Sequence, residues 1–138
     1  MRIMAIDYGD AHTGIAISDP TGFLAGFTTV INAYRPEVVA DKIAELAAEH
    51  GVEELVLGHP INMDGTRGPR SEKAHAMKAL LEERLSLPVV LWDERRTTID
   101  AHQILFNSGK NTKQRKKVVD AVAASLILEG YLTFKKNH

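Results

Sequence analysis

Short apolar runs separated by polar turns occupy the chain as far as Ile31, and a helical rhythm takes over after them. Arg2 to Ser18 reads RIMAIDYGDAHTGIAIS, an apolar run ending in the carboxylate of Asp7, a polar turn, and a second apolar run, Gly14-Ile15-Ala16-Ile17. The pattern predicts a β-hairpin that presents one acid. Asp19-Pro20-Thr21-Gly22 is a turn by its residue types, and Phe23 to Ile31 is rich in aromatic and β-branched residues, which predicts a third strand and an antiparallel meander. Pro36 suits a first helical turn, Val38-Val39, Ile43 and Leu46-Ala47 repeat at helical spacing to about His50, and Gly51 is the stop. Leu55-Val56-Leu57 is wholly apolar, as in a buried parallel strand. Gly58 to Arg70, GHPINMDGTRGPR, is a loop by its glycines and prolines, and Ser71 can cap the helix after it. That helix carries the stripe Ala74, Met77, Leu80-Leu81 and Leu85 and ends near Pro88. Val89 to Trp92 is a fifth strand, Thr97 or Thr98 can cap a short helix to about Asn107, and a last helix runs from about Arg115 to Phe134.

The order βββαβαβα implies an α/β fold. Three antiparallel strands followed by two reached through right-handed helical crossovers give a mixed five-stranded sheet, order 3-2-1-4-5, with helices on both faces. This is the layout of an RNase H-like fold. With 138 residues and 44% apolar composition, residues 1–138 are expected to form one domain. No apolar run approaches the ~20 residues of a membrane span, and Met1-Arg2-Ile3 leads straight into a strand, so a cytoplasmic protein without membrane partners is expected. The absence of cysteine removes disulfides, thiolate zinc sites and cysteine nucleophiles. A net charge of −1 hides a basic stretch, Lys110, Lys113, Arg115, Lys116 and Lys117, and a second basic spot at Arg95-Arg96. Such a local patch can bind phosphates on a neutral protein, although a solvated helix start explains it equally well.

In an α/β sheet, functional groups gather outside the carboxyl ends of the parallel strands. Strand one ends at Asp7 and strand five at Asp93-Glu94, while Asp120 interrupts the apolar run of the final helix and can approach Asp7 if that helix lies across the sheet. Converging carboxylates repel one another, and a divalent cation, Mg²⁺ or Mn²⁺, removes the repulsion. Such a site can activate a water for phosphodiester cleavage. Gly9 and Gly14 let substrate or backbone come close to Asp7. Each acid also has a plainer role: Asp7 as a turn residue, Asp93 or Glu94 as a helix-start acid beside Arg95, and Asp120 in a helix dipole field. Three of them at one edge shift the balance. Alternation puts Asp93 and Glu94 on opposite faces, so only one of the two can be a metal ligand if the strand extends that far; Glu94 is favoured for its reach, with Asp93 orienting its neighbours. His12, His59, His75 and His102 lack metal-ligand spacing, though His12 and His59 lie in loops near the site. Gly9 and Gly14 have P-loop-like spacing, but Ile15 stands where that motif requires lysine.

Four ordered stretches, IDYGDAHTGIAISDP, GHPINMDGTRG, WDERRTT and VVDAVAASLILEGYL, together resemble the YqgF/RuvX family of Holliday junction resolvase-like proteins, also described as pre-16S ribosomal RNA nucleases. The resemblance implies an RNase H-like fold related to the RuvC resolvases and a metal-dependent endonuclease maturing the 5′ end of 16S ribosomal RNA. Resolution of branched DNA, or non-catalytic nucleic-acid binding, is the alternative. The partner is nucleic acid, and the protein is a monomer or homodimer. The acidic site falls on Asp7, on Asp93 or Glu94, and on Asp120. Arg95 would contact phosphate or clamp the site, with Lys113, Arg115, Lys116 and Lys117 as further phosphate contacts. Asn62, Asp64 and Gly65 match the family's strand-four loop, with a role in shaping the site or touching substrate. Ala11-His12-Thr13 stand where family members often carry a basic residue, and Arg96 where an apolar one is usual.

Overall fold

The structure, a computed structural model, describes residues 1–19, 25–59, 68–93 and 112–137, with the side chains of 25, 69–70, 112–121 and 136–137 excepted. Strands β1 (Ile3–Asp7), β2 (His12–Ser18) and β3 (Ala25–Asn32) form the expected meander. Helix α1 (Pro36–His50) leads to β4 (Glu54–His59), α2 (Pro69–Arg84) to β5 (Val89–Asp93), and α3 spans Thr112–Asn137. The sheet order is β3-β2-β1-β4-β5, with β4 and β5 parallel to β1. The parallel strands carry apolar residues on both faces because helices cover both. The expected turn after Asp19 and the short helix near Asn107 fall on residues outside those described.

Alternation sorts each strand between two cores. Met4, Ile6, Ile15, Ile17, Leu55, Leu57 and Val89 pack under α1 and α2. Ile3, Ala5, Ala16, Val56 and Trp92 face α3 through Ala124, Ile127, Leu128, Tyr131 and Leu132. Fully burying one such aliphatic side chain stabilises the fold by about 1.5–3 kcal/mol, so the three large aliphatic residues of α3 outweigh any single polar contact holding it. Polar contacts instead fix its rotation. Glu54, at the start of β4, is buried; it accepts from the Tyr131 hydroxyl and pairs with Lys135 Nζ at 2.9 Å. Trp92 stands edge-on to both Tyr131 and Phe134 at ring separations of 5.7 and 5.6 Å.

Helix α1 begins and ends where the sequence predicts. Gly51 takes the left-handed conformation (φ 64°), and Val52 N–H returns to Ala47 O at 2.9 Å, so the helix closes on a residue with no Cβ penalty. The start of α2 differs from expectation. Gly68 is the N-cap and Pro69 opens the helix, which leaves Ser71 inside the first turn. A proline at the first position lacks only a donor that would have been unpaired anyway, and this outweighs the serine signal two residues later. The helix also stops at Arg84, earlier than Pro88, because Leu85 is extended. Strand β4 runs through Gly58 to His59, both assigned to a loop by composition; pairing with Trp92 and Asp93 of β5 holds them in the sheet. No helix among the described residues is long and apolar enough to cross a membrane.

Candidate active site

Asp7 is the last residue of the central strand, and four consecutive residue pairs hold β1 to β2, the final one Asp7 to Gly14. Alternation from Ile3 and Ala5 assigns Asp7 to the face that α3 covers. Its side chain is half-buried, and among the described residues no hydrogen bond or ion pair reaches the carboxylate. A charge so placed is costly unless something of opposite sign meets it. Gly14, buried directly across the ladder, brings no side chain against it. Gly9 acts differently from Gly14. A Cβ there would overlap the His12 carbonyl oxygen, so Gly9 permits the close approach of backbone to backbone that forms the turn.

The turn is fixed from outside as well. Lys73 Nζ of α2 reaches Asp10 Oδ1 at 2.6 Å, and His12 Nδ1 donates to Asn32 Oδ1 at 2.6 Å. Tyr8, next to Asp7 in sequence, packs against the α1/α2 core. Burial chiefly, and then the Asp10 charge, push its phenol above the usual value.

Asp93 ends β5 at the same carboxyl edge, in register with His59 of β4. It follows Val89 and Leu91 in alternation, both of which face α1 and α2, while Val90 and Trp92 face α3. Asp93 and Asp7 therefore stand on opposite faces of the sheet. Glu94, Arg95, Asn62, Asp64 and Gly65 lie outside the described residues. Asp120, Lys113, Arg115, Lys116 and Lys117 belong to α3, in its stretch of undescribed side chains. His59 is buried at 6% exposure instead of sitting in a loop; its Nε2 and Ser71 Oγ share a hydrogen bond of 2.6 Å. Glu54, Tyr131, His59 and Ser71 form polar contacts that sequence reasoning missed. An acid beside a hydrophobic strand, or a serine near a helix start, looks the same whether solvated or buried, and only the tertiary partner distinguishes them.

The carboxyl edge is thus the chemically equipped end of the sheet. A cavity of about 290 Å³ lined by Arg2, Ser18, Phe27 and His50 lies at the other end, where β1 begins. No group of three acids or histidines able to hold a metal occurs among the described residues. Asp7 supplies one unpaired carboxylate with oxygen donors of the kind that hard divalent cations prefer, which fits a shared metal site.

Comparison with known proteins agrees with this architecture. The RuvC of T. thermophilus in complex with a Holliday junction substrate superposes with a TM-score of 0.63 at 11% identity, covering 99% of this chain and 96% of that one. At that identity the likeness is one of fold. A protein of Halothermothrix orenii described as "Putative pre-16S rRNA nuclease" is 44% identical over 135 residues, 98% of this chain and 96% of its own. One of Listeria monocytogenes serotype 4b with the same description is 46% identical over 134 residues, 96% of this chain and 97% of its own. The model of the RuvX family, described as Holliday junction resolvase, matches residues 1–134, and the chain belongs to that family.

Proposed function

We propose that the protein is a divalent-metal-dependent endonuclease that cleaves structured RNA, with the precursor of 16S ribosomal RNA as its substrate. The observation that carries this reading is the unpaired, half-buried Asp7 carboxylate at the carboxyl end of the central strand, on the face covered by α3. The family membership and the description shared by its relatives support the substrate.

Asp7, Glu94 and Asp120 are the residues that would hold Mg²⁺ or Mn²⁺. Glu94 is preferred to Asp93 because alternation along β5 puts Asp93 on the α1/α2 face, away from Asp7. The position of α3 supports Asp120. Tyr131 and Lys135 tie the helix to Glu54 at the amino edge of the sheet. From Tyr131 back to Asp120 the helix climbs about 16 Å, while β1 spans about 13 Å, so the turn bearing Asp120 comes near the carboxyl edge. Bound by these three acids, a divalent ion would offset their mutual repulsion and would supply an activated water for attack on phosphorus. Arg95 and the basic start of α3 hold the phosphate backbone, and Gly14 leaves room beside Asp7 for it. Asn62, Asp64 and Gly65 shape the site on the β4 side. The protein works in the cytoplasm, where its substrate is made.

The test is cleavage of matched precursor 16S RNA and four-way DNA junctions with Mn²⁺ by wild type and Asp7→Asn. Wild type is expected to cut the RNA. Asp7→Asn and chelation should each lower the rate by at least about a hundredfold, within the range associated with groups that act on transition-state charge. Thermal stability of Asp7→Asn should be equal to wild type or higher, since an unpaired charge is removed. Cleavage undiminished in Asp7→Asn would refute the mechanism. Cutting of the junction alone would assign a resolvase, and RNA binding without cutting a non-catalytic module.

A further inference from the structure

Behind the carboxyl edge, on the face opposite Asp7, lies a buried polar pair that the proposed chemistry does not use. His59 ends β4, and Ser71 stands in the first turn of α2, twelve residues on; the 2.6 Å bond between them closes the base of the intervening connection. The Ser71 hydroxyl is not accounted for by local structure. Gly68 already caps α2, with Ser71 N–H returning to Gly68 O at 3.0 Å, so the hydroxyl is not needed as a cap. Ser71 is 0% exposed and His59 6%, and His75 of α2 stands edge-on to the His59 ring at 4.9 Å. An apolar pair of similar size would bury at less desolvation cost, whereas a hydrogen-bonded pair defines direction as well as contact.

The neighbours of this pair make direction matter. His59 is in register with Asp93, the residue before Glu94, and Gly58 before it continues the strand that pairs with β1 through Ile6 and Leu57. Pinning His59 therefore fixes the ends of the two strands on the β4 side of the site. Resting on the nuclease reading above, we propose that His59 is a positioning residue for phosphodiester cleavage, acting through its hydrogen bond to Ser71. The bond sets where the chain leaves β4 and β5, and hence the placement of the groups that follow each strand; it touches neither substrate nor metal.

Ser71→Ala, Ser71→Thr, His59→Gln and His59→Leu test this by kcat and KM on the RNA substrate and by amide exchange. Removal of a partner that orients functional groups costs about ten- to a hundredfold. Ser71→Ala and His59→Leu are thus expected to lose at least about tenfold in kcat with KM little changed, a loss confined to the transition state. Ser71→Thr keeps the hydroxyl and His59→Gln can place an amide nitrogen near Nε2, so both should remain close to wild type. Exchange at the paired ends of β4 and β5, Gly58 and His59 with Trp92 and Asp93, should accelerate in Ser71→Ala while β1 and β2 stay protected. Unchanged kcat in Ser71→Ala overturns the proposal, as does equal loss in Ser71→Thr, which would show packing to be the cause. If wild type cuts no RNA, the nuclease reading fails by itself. The exchange measurement then decides whether the pair holds the strand ends, and unchanged exchange overturns that too.

Discussion

Gly9 and Asp7, two residues apart, mark the two demands on the first hairpin: it must close tightly, and it must hold a charge that no described residue pairs with. Because a Cβ at Gly9 meets the backbone carbonyl of His12, no side-chain adjustment can relieve the clash. Gly9→Ala is expected to destabilise the protein by about 1–3 kcal/mol, read as a lower urea midpoint with an unchanged slope. The carboxylate itself was legible from sequence, as an acid closing an apolar strand. Which of Asp93 and Glu94 shares its face was not. Val-Val-Leu-Trp is apolar on both sides, so alternation separates the residues into two sets without saying which set meets α3. The packing of Trp92 against Tyr131 shows that its set meets α3, which leaves Asp93 on the face away from Asp7.

Among the elements, α1 was readable at both ends because its start and stop are local, a proline and a left-handed glycine. Helix α2 was misread at its start because Pro69 and Ser71 offer competing local signals. The rotation of α3 was not readable, since it rests on a buried carboxylate far away in sequence. Burial first, and then the hydrogen bond to Glu54, raise the Tyr131 phenol well above its ordinary value of 10.0. The unfolded chain releases that proton near pH 10 and the folded protein keeps it. The stabilisation is therefore whole below pH 10 and declines as the pH rises beyond it. Tyr131→Phe should cost about 1–2 kcal/mol at neutral pH, for the hydrogen bond lost and the acceptor left behind. It should also flatten the fall in stability between about pH 10 and about pH 12, measured by urea unfolding across that range.

For the molecule as a whole, a net charge of −1 conceals an arrangement that works against its own helix. The first turns of α3 carry Lys113, Arg115, Lys116 and Lys117 and no acid in the opening turn, although a helix start favours negative charge. A nucleic-acid backbone in that position reverses the sign of the effect. Lys113→Glu with Arg115→Glu should therefore move two properties in opposite directions. The melting temperature should hold or rise, while RNA affinity falls and the slope of log K against log salt shrinks by about 1.4–1.8 in magnitude for two lost phosphate contacts. Filter binding across a salt series, with thermal melts alongside, checks both. The overall sheet order was legible because three strands joined by short turns and two reached through helices leave few arrangements. The polar links between distant elements were not, because each joins residues ordinary in their own surroundings. The long reach of α3 also governs when the protein can act. Strands β1 to β5 are complete once Asp93 has been synthesised, yet Ile3, Ala5, Ala16, Val56 and Trp92 then lack the helix that covers them, and the proposed site lacks Asp120. A chain still emerging from the ribosome is thus an unfinished core and an idle nuclease together, so that on the proposed reading the enzyme cannot cut ribosomal RNA until its last helix has docked.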